Sequence, residues 1–493
     1  MSQQEIWFVT GSQHLYGEET LKQVAVNSRK IVDALNNTAK ISLKIVCMET
    51  VTTSDEIFEV CKAANNEDKC IGIITWMHTF SPSKMWINGL KILRKPILHL
   101  HTQANRDIPW ETMNMDFMNL NQAAHGDREH GFIYTRMGIG RKVVVGYYED
   151  TIVQEKIGRW ARVALAAATA KELKVVRFGD NMREVAVTEG DKVEAQIKFG
   201  WSINSYGVGD LVTRINEVTD DQINGLMEEY EQKYNFAPEC DKGTELYEHV
   251  REQAKMEIAL EQFLTEGKFQ AFTNTFEDLY GMKQLPGLAT QRLMEKGYGY
   301  GGEGDWKTAA LTRTMKIIAD NKATSFMEDY TYHFNPENKM VLGAHMLEVC
   351  PTIANEKPRI EVHPLGIGGK EAPARLVFDG KAGEAVCASL IDMGGRMRLI
   401  IAEVEAVEVP HKLPQLPVAR TTWKLKPSLE IGAQAWILAG GAHHTVFSHE
   451  VTVEDLVDWA EIMDIEYVII NESTDILRLK QDLRTNELIW KLR

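Results

Sequence analysis

Cysteine is scarce in this chain, and the little there is does not pair. Cys47, Cys61, Cys70, Cys240, Cys350 and Cys387 are scattered over 493 residues without a C-x-x-C spacing, mostly inside apolar runs. They read as reduced core residues, with no disulfide framework behind them. Long Lys/Arg blocks are missing too. At a formal net charge of −15 the basic footprint of a nucleic-acid binder is absent, and the acidic excess mainly favours solubility. No apolar run reaches the ~20 residues of a membrane-spanning helix. Met1-Ser-Gln-Gln-Glu-Ile-Trp leads straight into a strand pattern, with neither the basic nor the apolar region of a secretion signal, so a cytoplasmic location is expected. Internal repeats and low-complexity tracts are also lacking.

What remains is an ordinary globular composition, 44% hydrophobic and 25% charged. A chain this long exceeds what one core usually organises, so several domains are expected. Up to about residue 170, short apolar runs alternate with helical patterns: Ile6-Trp-Phe-Val-Thr10, Leu43-Lys-Ile-Val-Cys47, Ile71-Gly-Ile-Ile-Thr75, Pro96-Ile-Leu-His99 and Lys142-Val-Val-Val145. That alternation predicts an open, doubly wound α/β domain over 1–172. A second α/β domain is predicted over 173–325, opening at Leu173-Lys-Val-Val-Arg-Phe178. From 326 to 493 many short strands, among them Arg359-Ile-Glu-Val362 and Ala374-Arg-Leu-Val-Phe378, predict a β-rich, barrel-like third domain.

Gly297-Tyr-Gly-Tyr-Gly-Gly302 fits a dinucleotide fingerprint by letter only, because it follows a helical stretch and not a strand. Continued to Trp306, the same stretch lets backbone approach a small ligand around one carboxylate, Glu303. A helix starting near Asp305 would turn its positive end towards that group. Taken alone, a glycine-rich surface turn reads as well. Thr324-Ser-Phe-Met-Glu328-Asp329 reads as a strand ending in two acids, where open sheets place ligands, or as a solvated turn. His345 and His444 lie in apolar or small-residue runs, where a lone histidine is usually a hydrogen-bonded core residue. Two carboxylates and two imidazoles without a thiolate form a donor set suited to Mn²⁺, Co²⁺ or Mg²⁺. No H-E-x-x-H spacing ties the four together.

Trp7-Phe-Val-Thr-Gly-Ser-Gln-His-Leu-Tyr-Gly17, His78-Thr-Phe-Ser-Pro-Ser-Lys-Met-Trp-Ile-Asn-Gly89, Met115-Asp-Phe-Met-Asn-Leu-Asn-Gln122, Arg177-Phe-Gly-Asp-Asn-Met-Arg-Glu-Val-Ala-Val187 and 439–448 together resemble the signature stretches of L-arabinose isomerases. The resemblance implies a metal set of Glu303, Glu328, His345 and His444, usually around manganese, with the two glutamates as acid and base. It implies substrate contacts from Gln13, Leu15, His125, Met182, Phe276 and Ile367. It further implies conversion of L-arabinose to L-ribulose, a side activity on D-galactose giving D-tagatose, and no organic cofactor. Two trimers would form a cytoplasmic homohexamer, with Gln13 and His125 entering a neighbouring chain's site. The rival readings are an isomerase for another sugar such as L-fucose, disfavoured by the Gly11–Tyr16 and Ala442–Phe447 blocks, and a non-catalytic sugar-binding protein, which would not need both glutamates.

Overall fold

A computed structural model describes residues 4–492, which divide into two compact units at 168/169, so that the described residues of the first are 4–168 and those of the second 169–492. In the first unit, β1 (Glu5–Gly11), β2 (Lys44–Cys47), β3 (Cys70–Met77), β4 (Ile97–His101) and β5 (Lys142–Val145) form one parallel sheet in the order β2-β1-β3-β4-β5. Helices cover both faces, so successive residues along a strand enter different cores. Ile6 and Phe8 join the cluster containing Trp76 and Trp160, while Trp7 and Val9 join the one containing Ile57 and Trp86. This two-sided burial explains why the strands read as unbroken apolar runs. The chain reverses its winding between β1 and β3, the place where doubly wound sheets open a crevice.

The second unit begins with β6 (Lys174–Phe178), β7 (Ser202–Tyr206), β8 (Asn235–Phe236), β9 (Ala271–Asn274) and β10 (Gly299–Gly301). Four of these form a parallel sheet in the order β10-β9-β6-β7. There follow β11 (Thr324–His333), β12 (Met340–Ala344), β13 (Arg359–Val362), β14 (Ala374–Val377), β15 (Gly383–Asp392), β16 (Met397–Val407), β17 (Arg420–Leu425), β18 (His444–Ser448) and β19 (Glu466–Ile470). Strands β15-β18-β11-β12-β17-β16 close on themselves through the β15–β16 pairing, and β19 adds in parallel to β16. The architecture is therefore α/β with a barrel-like C-terminal part. The helix Trp306–Ile318, almost wholly buried, packs against β9 and β10 of the sheet and against β11 and β18 of the barrel. One continuous apolar cluster runs from Val176 to Leu479.

Two sequence expectations need correcting. The strand holding Glu328 does not end there: β11 continues to His333, with a register irregularity between Asp329 and Thr331, so Glu328 is a mid-strand residue of an antiparallel barrel. Strands β13 and β14 do not belong to the barrel. They form a separate sheet with β8, more than a hundred residues upstream, through the Arg359–Asn235 and Ile360–Phe236 pairs. All six cysteines are free, and all but Cys47 are buried. No described helix is long and apolar enough to cross a membrane.

Candidate metal centre

Three loops leave the carboxyl ends of parallel strands on one side of the second unit's sheet. The loop after β6 carries Met182, that after β9 carries Phe276, and that after β10 carries Glu303. This is the end at which α/β sheets collect ligands. Glu303 adopts a left-handed backbone, φ 61°, between two closely packed glycines, of which Gly304 leaves no room for a Cβ and Gly302 little. A Cβ on Gly304 would lie 2.6 Å from Asn181 Cα, and one on Gly302 would lie 3.2 Å from His345 Nε2. The backbone is thus turned sharply to present one carboxylate, an uncommon conformation for a non-glycine residue. Met182 N donates to Glu303 O at 3.0 Å, joining the first loop to the third.

The barrel supplies the other groups through its register. Glu328 stands opposite Ala344 on β12 and opposite His444 on β18. His345 follows Ala344 directly. Around the same space, His345 Nε2 is 3.8 Å from Glu328 Oε2 and His444 Nε2 is 3.7 Å from Glu303 Oε2. The two imidazole rings have centroids 6.2 Å apart, and Phe326 packs edge-on to both, at 4.9 and 5.2 Å. All four sequence-predicted groups therefore converge. Met182, Phe276 and Ile367 line a cavity of ≈ 730 Å³ together with Glu303, Glu328 and His345.

Each buried imidazole has its Nδ1 taken. His345 Nδ1 donates to the buried Glu348 carboxylate, and His444 Nδ1 donates to Asp305 Oδ2 at 3.1 Å. A carboxylate on Nδ1 fixes the ring's orientation and tautomer, leaving Nε2 as the lone-pair donor. His444 Nε2 is buried with no hydrogen-bond partner. A stranded polar atom of this kind costs about 1–3 kcal/mol unless something binds it. Sequence reasoning did not assign Glu348 or Asp305; the only available signal was their nearness to His345 and Glu303 in the chain. It also passed over His443, whose Nε2 lies 3.3 Å from Glu303 Oε2. Among the described residues, Glu303, His443 and His444 form the group whose ligand atoms all lie within 4.8 Å of one another.

Electrostatics favour the charged form of Glu303 and of Asp305. Burial pushes the Glu303 pKa up, but the hydrogen bond from His443 and the charges of His444, His443 and His345 outweigh it and hold the group below its ordinary value. Burial likewise opposes ionisation of Asp305. Lys307, His444 and Thr308 overcome it and hold Asp305 well below the usual carboxylate range. Burial pulls the His345 pKa down, and the negative charge of Glu348, then of Glu328 and Glu303, reverses this and raises it. So much negative charge in a half-enclosed space is suited to a divalent cation.

The remaining predicted residues belong to the first unit. Gln13 and Leu15 follow β1 and flank His14; Gln13 is half-buried and Leu15 is 82% exposed. His125 is exposed on the helix Ala123–Met137, its ring 4.9 Å from that of Phe80 just after β3. All three cluster at the carboxyl ends of β1 and β3, the switch point of that sheet.

Family models described as the N-terminal, central and C-terminal domains of L-arabinose isomerase match residues 1–172, 174–321 and 323–466. The chain belongs to the L-arabinose isomerase family. It is 63% identical to the L-arabinose isomerase of Anoxybacillus flavithermus over 486 residues, covering 99% of this chain and 97% of that protein. Identity is also 63% with the Geobacillus stearothermophilus enzyme, over 99% of this chain and 98% of the relative. With the Thermotoga neapolitana enzyme it is 58%, over 100% and 99%.

Proposed function

We propose that this chain interconverts L-arabinose and L-ribulose, with Glu303, Glu328, His345 and His444 holding a divalent cation beside the sugar. Family membership over the whole length supports the reaction. The observation that carries the site is the pair of buried imidazoles whose Nδ1 atoms are held by carboxylates and whose Nε2 atoms face Glu303 and Glu328. The unpartnered Nε2 of His444 fits a cation, an all-oxygen-and-nitrogen donor set suits Mn²⁺, Co²⁺ or Mg²⁺, and the family resemblance favours Mn²⁺ among them. When bound, the cation supplies Lewis acidity at the sugar oxygens and charge compensation for the carboxylates.

The chain's own groups carry the protons. Moving a carbonyl from C1 to C2 requires one hydrogen to pass between the carbons and a proton to pass between their oxygens. Glu303 and Glu328 both line the cavity, so one accepts a proton while the other returns one. Phe276, Met182 and Ile367 present apolar surface to the sugar's carbon skeleton and limit water at the reacting atoms. Nothing in this chemistry calls for an organic cofactor. D-Galactose shares the reacting end of the sugar, which makes conversion to D-tagatose a side reaction of the same site.

We further propose a homohexamer of two trimers in the cytoplasm, in which Gln13, Leu15 and His125 complete the site of an adjacent chain. The division into three domains, 1–172, 173–325 and 326–493, belongs to the same reading. The deciding experiment is a ketose assay on L-arabinose, L-fucose and D-galactose, with and without chelator and added Mn²⁺. Chelator-sensitive ketose formation fastest from L-arabinose is expected. No product from any aldose would leave a binding protein, and faster turnover of L-fucose would reassign the substrate.

A further inference from the structure

Lys307 is the second residue of the helix Trp306–Ile318 and is 1% exposed. A cation in the first turn faces the positive end of the helix dipole, so it does nothing for the helix itself. A buried ammonium also needs oxygen partners. Lys307 has four. Its Nζ donates to the carbonyl oxygens of Val187 at 3.1 Å, Thr188 at 3.0 Å and Glu189 at 2.6 Å, and it pairs with Asp305 Oδ1 at 3.2 Å. Its stem fills a slot closed by Gly190, where a Cβ would lie 3.1 Å from Lys307 Cδ.

The partners of Lys307 belong to two functional segments. Val187, Thr188 and Glu189 close the loop that carries Met182 to the cavity, and Asn181 Nδ2 ties the start of that loop to the Thr188 carbonyl. Asp305 caps the helix through Thr308 N at 3.2 Å and receives Thr308 Oγ1 at 2.7 Å; the same Oδ2 takes the Nδ1 proton of His444. With Oδ1 on Lys307 and Oδ2 on His444 and Thr308, rotation of the Asp305 carboxylate is blocked. Without the ammonium, Oδ1 keeps only the Thr308 amide, the Val187 and Glu189 carbonyls lose the ammonium as donor, and Thr188 keeps only Asn181 Nδ2.

We infer that Lys307 is a positioning residue that ties the Met182 loop to His444 through Asp305, so that one buried ammonium sets both the sugar-facing loop and the direction of the imidazole. The inference rests on the reading of His444 as a cation ligand. Lys307 itself lies outside the residues lining the cavity, and it touches neither sugar nor cation.

The test is Co²⁺ binding by calorimetry to the assembled protein stripped of metal, with sugar kinetics alongside. Lys307→Met should weaken Co²⁺ binding by about 10- to 100-fold, the range for loss of an outer partner of a metal-bound histidine. It should raise the KM for L-arabinose while kcat at saturating cation and sugar stays close to parental, a split that a general loss of folding would not give. The double variant Asp305→Asn/Lys307→Met should bind Co²⁺ no more weakly than Asp305→Asn alone, because the lysine acts through the aspartate. Parental affinity in folded Lys307→Met, or fully additive losses in the double variant, would overturn the inference. So would failure of both Lys307→Met and Lys307→Gln to fold while Asp305→Asn folds, since the lysine would then serve only the fold. Parental Co²⁺ affinity in His444→Ala would remove the metal site itself, a failure of the underlying reading that these variants tell apart.

Discussion

Glu328 and His444 face each other across the β11–β18 pairing, so the separation of their backbones is set by the barrel's hydrogen-bond ladder. Side chains projecting from paired strands are held more firmly than side chains on loops. Glu303, by contrast, owes its place to a left-handed turn and two close-packed glycines. The proposed centre therefore joins a rigid half to a half that depends on loop packing.

Chelation should lower both activity and melting temperature, and Mn²⁺ should restore them. A ligand that binds only the folded state adds about 2.7 kcal/mol at a hundredfold excess over its Kd. Differential scanning calorimetry with elemental analysis checks this. An unchanged melting temperature and full turnover in protein shown to be metal-free would refute it.

Glu303→Gln and Glu328→Gln keep the side-chain shape but lose the proton-transfer group. Each should reduce kcat by at least ~100-fold. Circular dichroism must show a parental fold, and near-parental turnover in either variant would withdraw that residue's role.

Phe326→Ala should be costly in two ways. The ring is fully buried between His345, His444 and Tyr300, and removing a buried phenylalanine costs about 3–5 kcal/mol. The imidazoles would also lose the surface that stops them tilting. Denaturant unfolding should show the stability loss and calorimetry a weaker Mn²⁺ affinity. A loss under ~1 kcal/mol would mean that the site collapses around the gap.

If chains share sites, His125→Ala and Glu328→Ala chains should each be nearly inactive alone and complement each other when mixed. Random mixing in equal amounts leaves about a quarter of the sites with both groups intact, because the interface in a cyclic trimer joins unlike faces. Co-expression with mass spectrometry of the mixed oligomers reads this out. Activity in confirmed mixed oligomers that stays at the average of the two parents would place both residues in the same chain's site.

The parallel sheets were legible because strands such as β1 and β3, buried on both faces, carry continuous apolar runs that alternate with helical spacing. The four candidate donors were legible as residue types in unusual settings. What could not be read was long-range. The β8–β13 pairing joins segments with no local mark of their partnership, so β13 and β14 looked like barrel strands. Glu328 looked like the end of a strand because two acids interrupt the apolar run, yet Glu328 lines the cavity while the ladder continues past it. Glu348 and Asp305 carry no sequence feature that separates an orienting carboxylate from a solvated one. Only the fold brings them to an imidazole.

The small sheet β8-β13-β14 also bears on where this chain can be cut and rejoined. A chimera with a relative, joined after the central α/β segment near residue 322, would draw β8 from one parent and β13 from the other and ask strands of different parents to rebuild the Ile360–Phe236 pairing. A junction near residues 168–169, where the two compact units meet along the chain, severs no strand pairing, because every pairing of the first sheet lies before it and every other sheet after it. Recombination among relatives should therefore give soluble hybrids from the second junction far more often than from the first.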